Sequence, residues 1–259
     1  MKSIDTRYFQ ILILSSLLLY GIFSLQFSIS VYQILAVIFT SLVIQIAFIY
    51  TTKISYHSLL SALITSLSLS ILLRADELWV YLLAAFIAIT SKFFIHFQYK
   101  HIFNPTALAL TILSLSGIAW ISPAQWGNVT WFAFLVASLG GFMFYRIKTF
   151  QTPLAFILVY AGLLTIRTIY LGDSFAILLH QLQGGAIILF IFFMISDPKT
   201  MPNHQTARWI FGALVAVIAF SIQFNFYIQS APILALTFCA PLVLLLDKYF
   251  KKHVFTWRK

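Results

Sequence analysis

Long apolar runs alternate with short polar breaks from one end of the chain to the other. The runs at 8–27, 31–50, 57–73, 78–97, 105–120, 130–146, 153–171, 174–195, 207–224 and 231–247 each approach the length an α-helix needs to cross a hydrocarbon core. They predict an all-α polytopic membrane protein of about ten transmembrane helices, with 1–259 forming a single integral membrane domain. The first run exceeds the apolar region of a secretory signal and lacks a small-residue cleavage site, so it reads as a retained helix. Ten spans divide into five plus five, and an odd number per half suggests inverted halves with discontinuous helices, although no convincing internal repeat is present. The stretch Ser58–Leu73 carries six hydroxyls, on Ser58, Ser61, Thr65, Ser66, Ser68 and Ser70, which suit either a polar path or close helix packing.

Composition agrees with the pattern. Hydrophobic residues make up 61% of the chain and charged residues 8%, against about a quarter charged in a soluble domain. The net charge of +10 raises the question of nucleic acid, and its distribution answers it. With the N-terminus in the cytoplasm, the cytoplasmic segments hold Lys2, Arg7, Lys53, Lys92, Lys100, Arg146, Lys148, Lys199, Arg208, Lys248, Lys251, Lys252, Arg258 and Lys259. Only Arg74 and Arg167 fall on the outer side. This is the positive-inside signature, which places both termini in the cytoplasm and makes membrane lipid, not nucleic acid, the expected partner. The single cysteine, Cys239, lies in the last run and reads as a small buried hydrophobe. No HExxH, Cys/His cluster, phosphate-binding glycine loop or nucleophile elbow is present, so no metal or hydrolytic site is expected.

Two polar stretches interrupt the apolar background. In "YKHIFNPTALAL", Lys100 and His101 precede Phe103-Asn104-Pro105-Thr106. Asn is a good N-cap and Pro suits the first helical turn, so a helix opens at Pro105 with its positive dipole end near two basic groups. Such an end can seat an anion or an electron-rich carbonyl, or be an ordinary capped helix start. In "MISDPKTMPNHQTARWIFG", Asp197-Pro198 ends one helix and two prolines shape the loop before the next, with Lys199, Thr200, His204 and Arg208 close by. Gly184-Gly185 would admit a flat ligand or a neighbouring helix. His180 reads as a satisfied buried histidine, and Arg167 as a snorkelling residue that pairs with Asp173.

At these stretches the sequence resembles the NqrB/RnfD family, membrane subunits of the sodium-pumping NADH:quinone reductase and of the Rnf electron transport complex. The likeness is carried by Phe103-Asn104-Pro105-Thr106, Leu182-Gln183-Gly184-Gly185, Phe192 to Thr200, Ala207 to Gly212, and Pro241-Leu242 with Asp247, and it spans roughly 58–253. The resemblance implies a multi-pass subunit of a bacterial-type inner membrane, engaged in electron transport or ion coupling with other membrane or redox subunits. Family members with covalent FMN carry it on a threonine in a segment that is here only "ISPAQWGNV", so covalent FMN is not expected. Non-covalent riboflavin, FMN or a quinone is. Lys100, His101, Phe103, Asn104, Pro105 and Thr106 would shape one wall, Gly184 and Gly185 would admit the ring, and Asp197, Lys199 and Thr200 would orient polar edges or couple a cation. The alternative is a small-solute transporter or channel without redox chemistry.

Overall fold

The structure is a computed structural model that describes residues 5–97, 100–123 and 150–250. Among these residues it is helical, with only two pairs of two-residue strands. The expected span 130–146 lies outside the described residues. The other nine expected runs each coincide with an apolar helix or a bent helix pair. Four helices are long and apolar enough to cross a membrane, and up to six spans result if each bent pair counts as one. The chain is therefore an all-α, multi-pass membrane protein, and it separates into two compact units.

The first unit comprises residues 1–95 and 105–128. Its helices are α1 (Thr6–Phe23), α2 (Val31–Thr52), α3 (Leu59–Leu72), α4 (Leu78–Phe94) and α5 (Pro105–Leu115). Local chemistry sets their starts. Asp5 accepts from the Arg7 amide, and Ser30 with Gln33 forms a reciprocal capping box on α2. Helix α3 packs against α1 and α2, and α4 packs against α2 and α5. Strands β1 (Leu73–Arg74) and β4 (Trp120–Ile121) pair antiparallel, Arg74 opposite Trp120. Helix α5 is shorter than the expected 105–120. Its 11 residues rise only about 17 Å, roughly half a hydrocarbon core. The chain breaks there at Gly117, whose φ of 74° is left-handed.

Hydroxyls on α3 serve two purposes. Thr65, Ser66 and Ser70 each donate to a carbonyl of their own helix. Ser61 and Thr65 also receive Lys92, whose Nζ lies 2.8 Å from Thr65 Oγ1 and 3.2 Å from the Ser61 carbonyl. Lys92, counted above with the cytoplasmic side, is buried in the last turn of α4. It is accommodated because α3 presents oxygen acceptors to it, not because it snorkels to water. Across the same unit, Gln45 Nε2 donates to Ser58 Oγ, while Ser41 Oγ and Gln45 Oε1 are buried with no hydrogen-bond partner among the described residues. A buried unsatisfied group costs about 1–3 kcal/mol. Ser41→Ala is therefore expected to raise the unfolding temperature of the detergent-solubilised protein. A lowered midpoint would show that the Ser41 hydroxyl is satisfied after all.

The second unit comprises residues 96–104 and 129–259. Strands β2 (His96–Phe97) and β3 (Lys100–His101) pair antiparallel. They are followed by α6 (Gln151–Leu171), α7 (Phe175–Leu182), α8 (Gly185–Met194, closing in a π turn over Phe190–Met194), α9 (Gln205–Phe226), α10 (Ala231–Cys239) and α11 (Leu242–Tyr249). Expected spans 174–195 and 231–247 are each broken. Helices α7 and α8 meet at 52°, and α10 and α11 at 50°. The first break falls at Gly184, just before α8, and the second at Pro241, which lacks an amide donor. Helix α9 lies against α6 and α10, with Tyr160 of α6 donating to Gln223 of α9. Gly212 permits that approach, since a Cβ there would collide with the Thr152 carbonyl oxygen.

Candidate functional site

An ion pair between a buried lysine and a half-buried aspartate organises the second unit. Lys100 in β3 extends its ammonium to Asp247 of α11, Nζ to Oδ2 2.6 Å, and the same Nζ donates to the Met201 carbonyl at 2.5 Å. Asn203 completes the arrangement. Its backbone amide donates to Asp247 Oδ1 at 2.7 Å and its side-chain Nδ2 to Asp247 Oδ2 at 3.0 Å. Both carboxylate oxygens are thereby engaged, which offsets the partial loss of water around the carboxylate. Burial pushes the Lys100 ammonium below its ordinary pKa, and hydrogen bonding and charge attraction from Asp247 oppose that shift.

The loop that meets this pair is itself tightly turned. Asp197 Oδ1 accepts from the Lys199 amide at 2.9 Å, and the Asp197 carbonyl accepts from the Thr200 and Met201 amides at 3.1 and 3.2 Å. This is an Asx-type turn, the local conformation that Asp and a following Pro favour. Past the turn, Arg208 Nε reaches back to the Pro202 carbonyl at 2.9 Å, and Thr152 Oγ1 lies 3.5 Å from the Met201 sulfur. His204 caps α9 by accepting from the Thr206 amide, and its ring stacks on Phe250 with centroids 5.6 Å apart. Segments from β3, α6, α8, α9 and α11 thus converge on residues 197–204.

The expected site residues fare differently. Lys100 and Thr200 are buried in or beside this network. Asn104 stands immediately before Pro105, the first residue of α5, as expected. Its side-chain amide also donates, at 3.5 Å, to the Met194 carbonyl that ends α8. His101 pairs with His96 across β2 and β3, and Phe103 is half-buried. Pro105 and Thr106 belong to the first unit. Gly184 and Gly185 stand at the opposite end of α8 from Asp197, about 14 Å away along the helix. His180 is exposed, not buried, because α7 covers itself only at Leu178. Arg167 does pair with Asp173, at 3.7 Å, and lies over Phe224.

These positions bear on the expected flavin. Lys100, expected beside a helix end that could seat an anion or an electron-rich carbonyl, donates to a carboxylate and a carbonyl of its own chain. The glycines chosen for the ring lie at the far end of α8. No group of three or more His, Cys, Asp or Glu able to hold a metal occurs among the described residues. Asn203 and Asp247 are the residues that sequence reasoning left out of the site. Asp247 was visible as part of a motif, and Lys100 as a basic residue 147 positions earlier, but their pairing was not.

Comparison with known proteins supplies the lineage. The model of the NQR2, RnfD, RnfE family matches residues 121–256, which hold every part of the network except Lys100 and Asn104. The matched stretch begins well after residue 58, so Phe103-Asn104-Pro105 lies outside it. Among similar curated proteins is a subunit of the ion-translocating oxidoreductase complex of Tolumonas auensis, 29% identical over 150 residues, covering 58% of this chain and 40% of that protein. Its counterpart in Escherichia coli O1:K1 / APEC, named likewise, is 28% identical over 147 residues, covering 56% of this chain and 39% of that protein. The counterpart in Citrobacter koseri is 30% identical over 111 residues, covering 42% of this chain and 29% of that protein. The chain thus matches about two fifths, or less, of the length of these relatives. With the family match spanning more than half of its residues, this chain belongs to the NQR2, RnfD, RnfE family.

Proposed function

We propose that this chain is a membrane subunit of an ion-translocating oxidoreductase system, seated in a bacterial inner membrane with both termini in the cytoplasm. One observation carries the reading: the family match covers the segment that folds into the Asp197–Asn203 loop and supplies Asp247. A buried Lys–Asp pair that locks a polar loop between broken helices is an arrangement suited to an ion-coupling element, because intramembrane charges and discontinuous helices recur on ion paths. The chain would act with other membrane or redox subunits that deliver electrons. Non-covalent riboflavin or FMN, or a quinone, is the redox group we propose, on the strength of the family and not of the expected residues. The solute-transporter alternative gains no support from relatives named as oxidoreductase subunits.

The test is affinity purification of the tagged full chain from its native membrane, followed by identification of co-purifying subunits and a visible spectrum. Recovery of oxidoreductase subunits with the chain supports the assignment, and flavin or quinone released by acid or solvent extraction identifies the redox group. A chain that purifies alone, without either chromophore or redox partner, and that moves a solute in liposomes overturns it.

A further inference from the structure

Arg74 is a buried cation in the first unit. It follows α3 directly, is only 3% exposed, and pairs across β1 and β4 with Trp120. One arm of its guanidinium is held by the protein, Nη1 donating to the Leu73 carbonyl at 2.6 Å and to the Ser70 carbonyl at 3.2 Å. The Phe27 ring lies 5.4 Å from Cζ. Nε and Nη2 make no hydrogen bond among the described residues, and no carboxylate among them pairs with the group. Asp76 and Glu77 follow within three residues, yet both are exposed and neither forms an ion pair with Arg74.

A charge withdrawn from water at a membrane-spanning bundle requires compensation. Two neutral carbonyls on one nitrogen leave the formal charge unbalanced and leave the Nε/Nη2 edge with two parallel N–H donors. That edge matches two oxygens of a phosphate or carboxylate in a bidentate pair. Its depth also argues for a particular ligand. Trp120, directly across the strand pair, is 51% exposed, and Trp79, at the start of α4, is 52% exposed. Exposed tryptophans mark the headgroup level of a bilayer. We propose that Arg74 is a binding site for the phosphate of an anionic phospholipid headgroup, taken through Nε and Nη2, with the exposed tryptophan rings beside the lipid's glycerol region.

The test uses the full chain in detergent, with phosphatidylglycerol, phosphatidylcholine and inorganic phosphate as probes. Native mass spectrometry is expected to show a retained phosphatidylglycerol adduct on the wild-type protein, depleted at least tenfold in Arg74→Gln and intermediate in Arg74→Lys, which keeps the charge and loses the fork. Arg167→Gln, at a half-exposed arginine already paired with Asp173, is expected to leave the adduct in place. Should Arg74→Gln fail to fold, the wild-type protein alone decides. Phosphatidylglycerol must raise its unfolding midpoint above that in phosphatidylcholine, by ligand linkage. Equal retention in wild type and Arg74→Gln, or equal midpoints in the two lipids, overturns the proposal. Displacement of the lipid effect by millimolar inorganic phosphate would assign the seat to free phosphate and overturn the lipid assignment.

Discussion

Replacing Asp247 by Ala is expected to cost about 3–5 kcal/mol, the usual penalty for removing one partner of a buried ion pair. Three losses combine at that site. The Lys100 ammonium remains buried without its counter-charge, the Asn203 amide loses its acceptor, and the Asn203 side chain loses another. Against a typical total of about 5–15 kcal/mol, such a loss leaves little of the second unit folded at growth temperature. Thermal unfolding followed by tryptophan fluorescence, with the yield of solubilised protein, reads the effect. The double variant Lys100→Met/Asp247→Leu removes both charges and is expected to recover much of the lost stability, because the burial cost of the ions disappears with them. If Asp247→Ala unfolds at the parental temperature, the pair does not hold the loop. If the double variant is as stable as the parent but no longer supports its partner complex, the pair serves ion coupling more than folding.

The second large effect is expected at Gly212, where α9 crosses α6. A methyl group there would collide with the Thr152 carbonyl oxygen and sit 2.9 Å from the Ala155 Cβ. These neighbours are backbone and a short side chain of another helix, so neither can swing aside. The helices must separate, loosening the contact that Tyr160 and Gln223 make further along. Overpacking of this kind costs about 1–3 kcal/mol for Gly212→Ala and more for Gly212→Val. Gly162, on α6 with nothing within 4 Å of a built Cβ, is the matched control. Gly162→Ala is expected to be neutral or to stabilise by up to about 1 kcal/mol through helix propensity. Gly212→Ala should therefore lower the unfolding midpoint while Gly162→Ala leaves it unchanged or raises it, and equal shifts would mean that the α6–α9 crossing tolerates spreading.

Much of the architecture was legible in the chain because it is locally encoded. Apolar run length alone located nine helical segments, since a backbone in lipid must satisfy its own hydrogen bonds and helices do so within one segment. Pro105 at the start of α5, the Asp197 turn and the breaks at Gly184 and Pro241 are likewise matters of φ, amide donors and side-chain reach within a few residues. Run length could not set helix ends. The hydropathy of 105–120 continues past the point where Gly117 turns the backbone, so α5 is shorter than its apolar stretch.

What only the tertiary structure decided was the company each polar residue keeps. Lys92 read only as a charge near a helix end, and packing gives it hydroxyl and carbonyl acceptors on α3. Lys100 read as one basic residue of a candidate site, and packing brings it to Asp247 and the Met201 carbonyl. Gly184 and Asp197 read as parts of one candidate site, and α8 sets the distance between them by placing them at its two ends. A side chain's charge and size are written at its own position. Its partner is fixed by packing between helices far apart in sequence, and that choice sets whether a buried charge is structural, catalytic or open to a ligand.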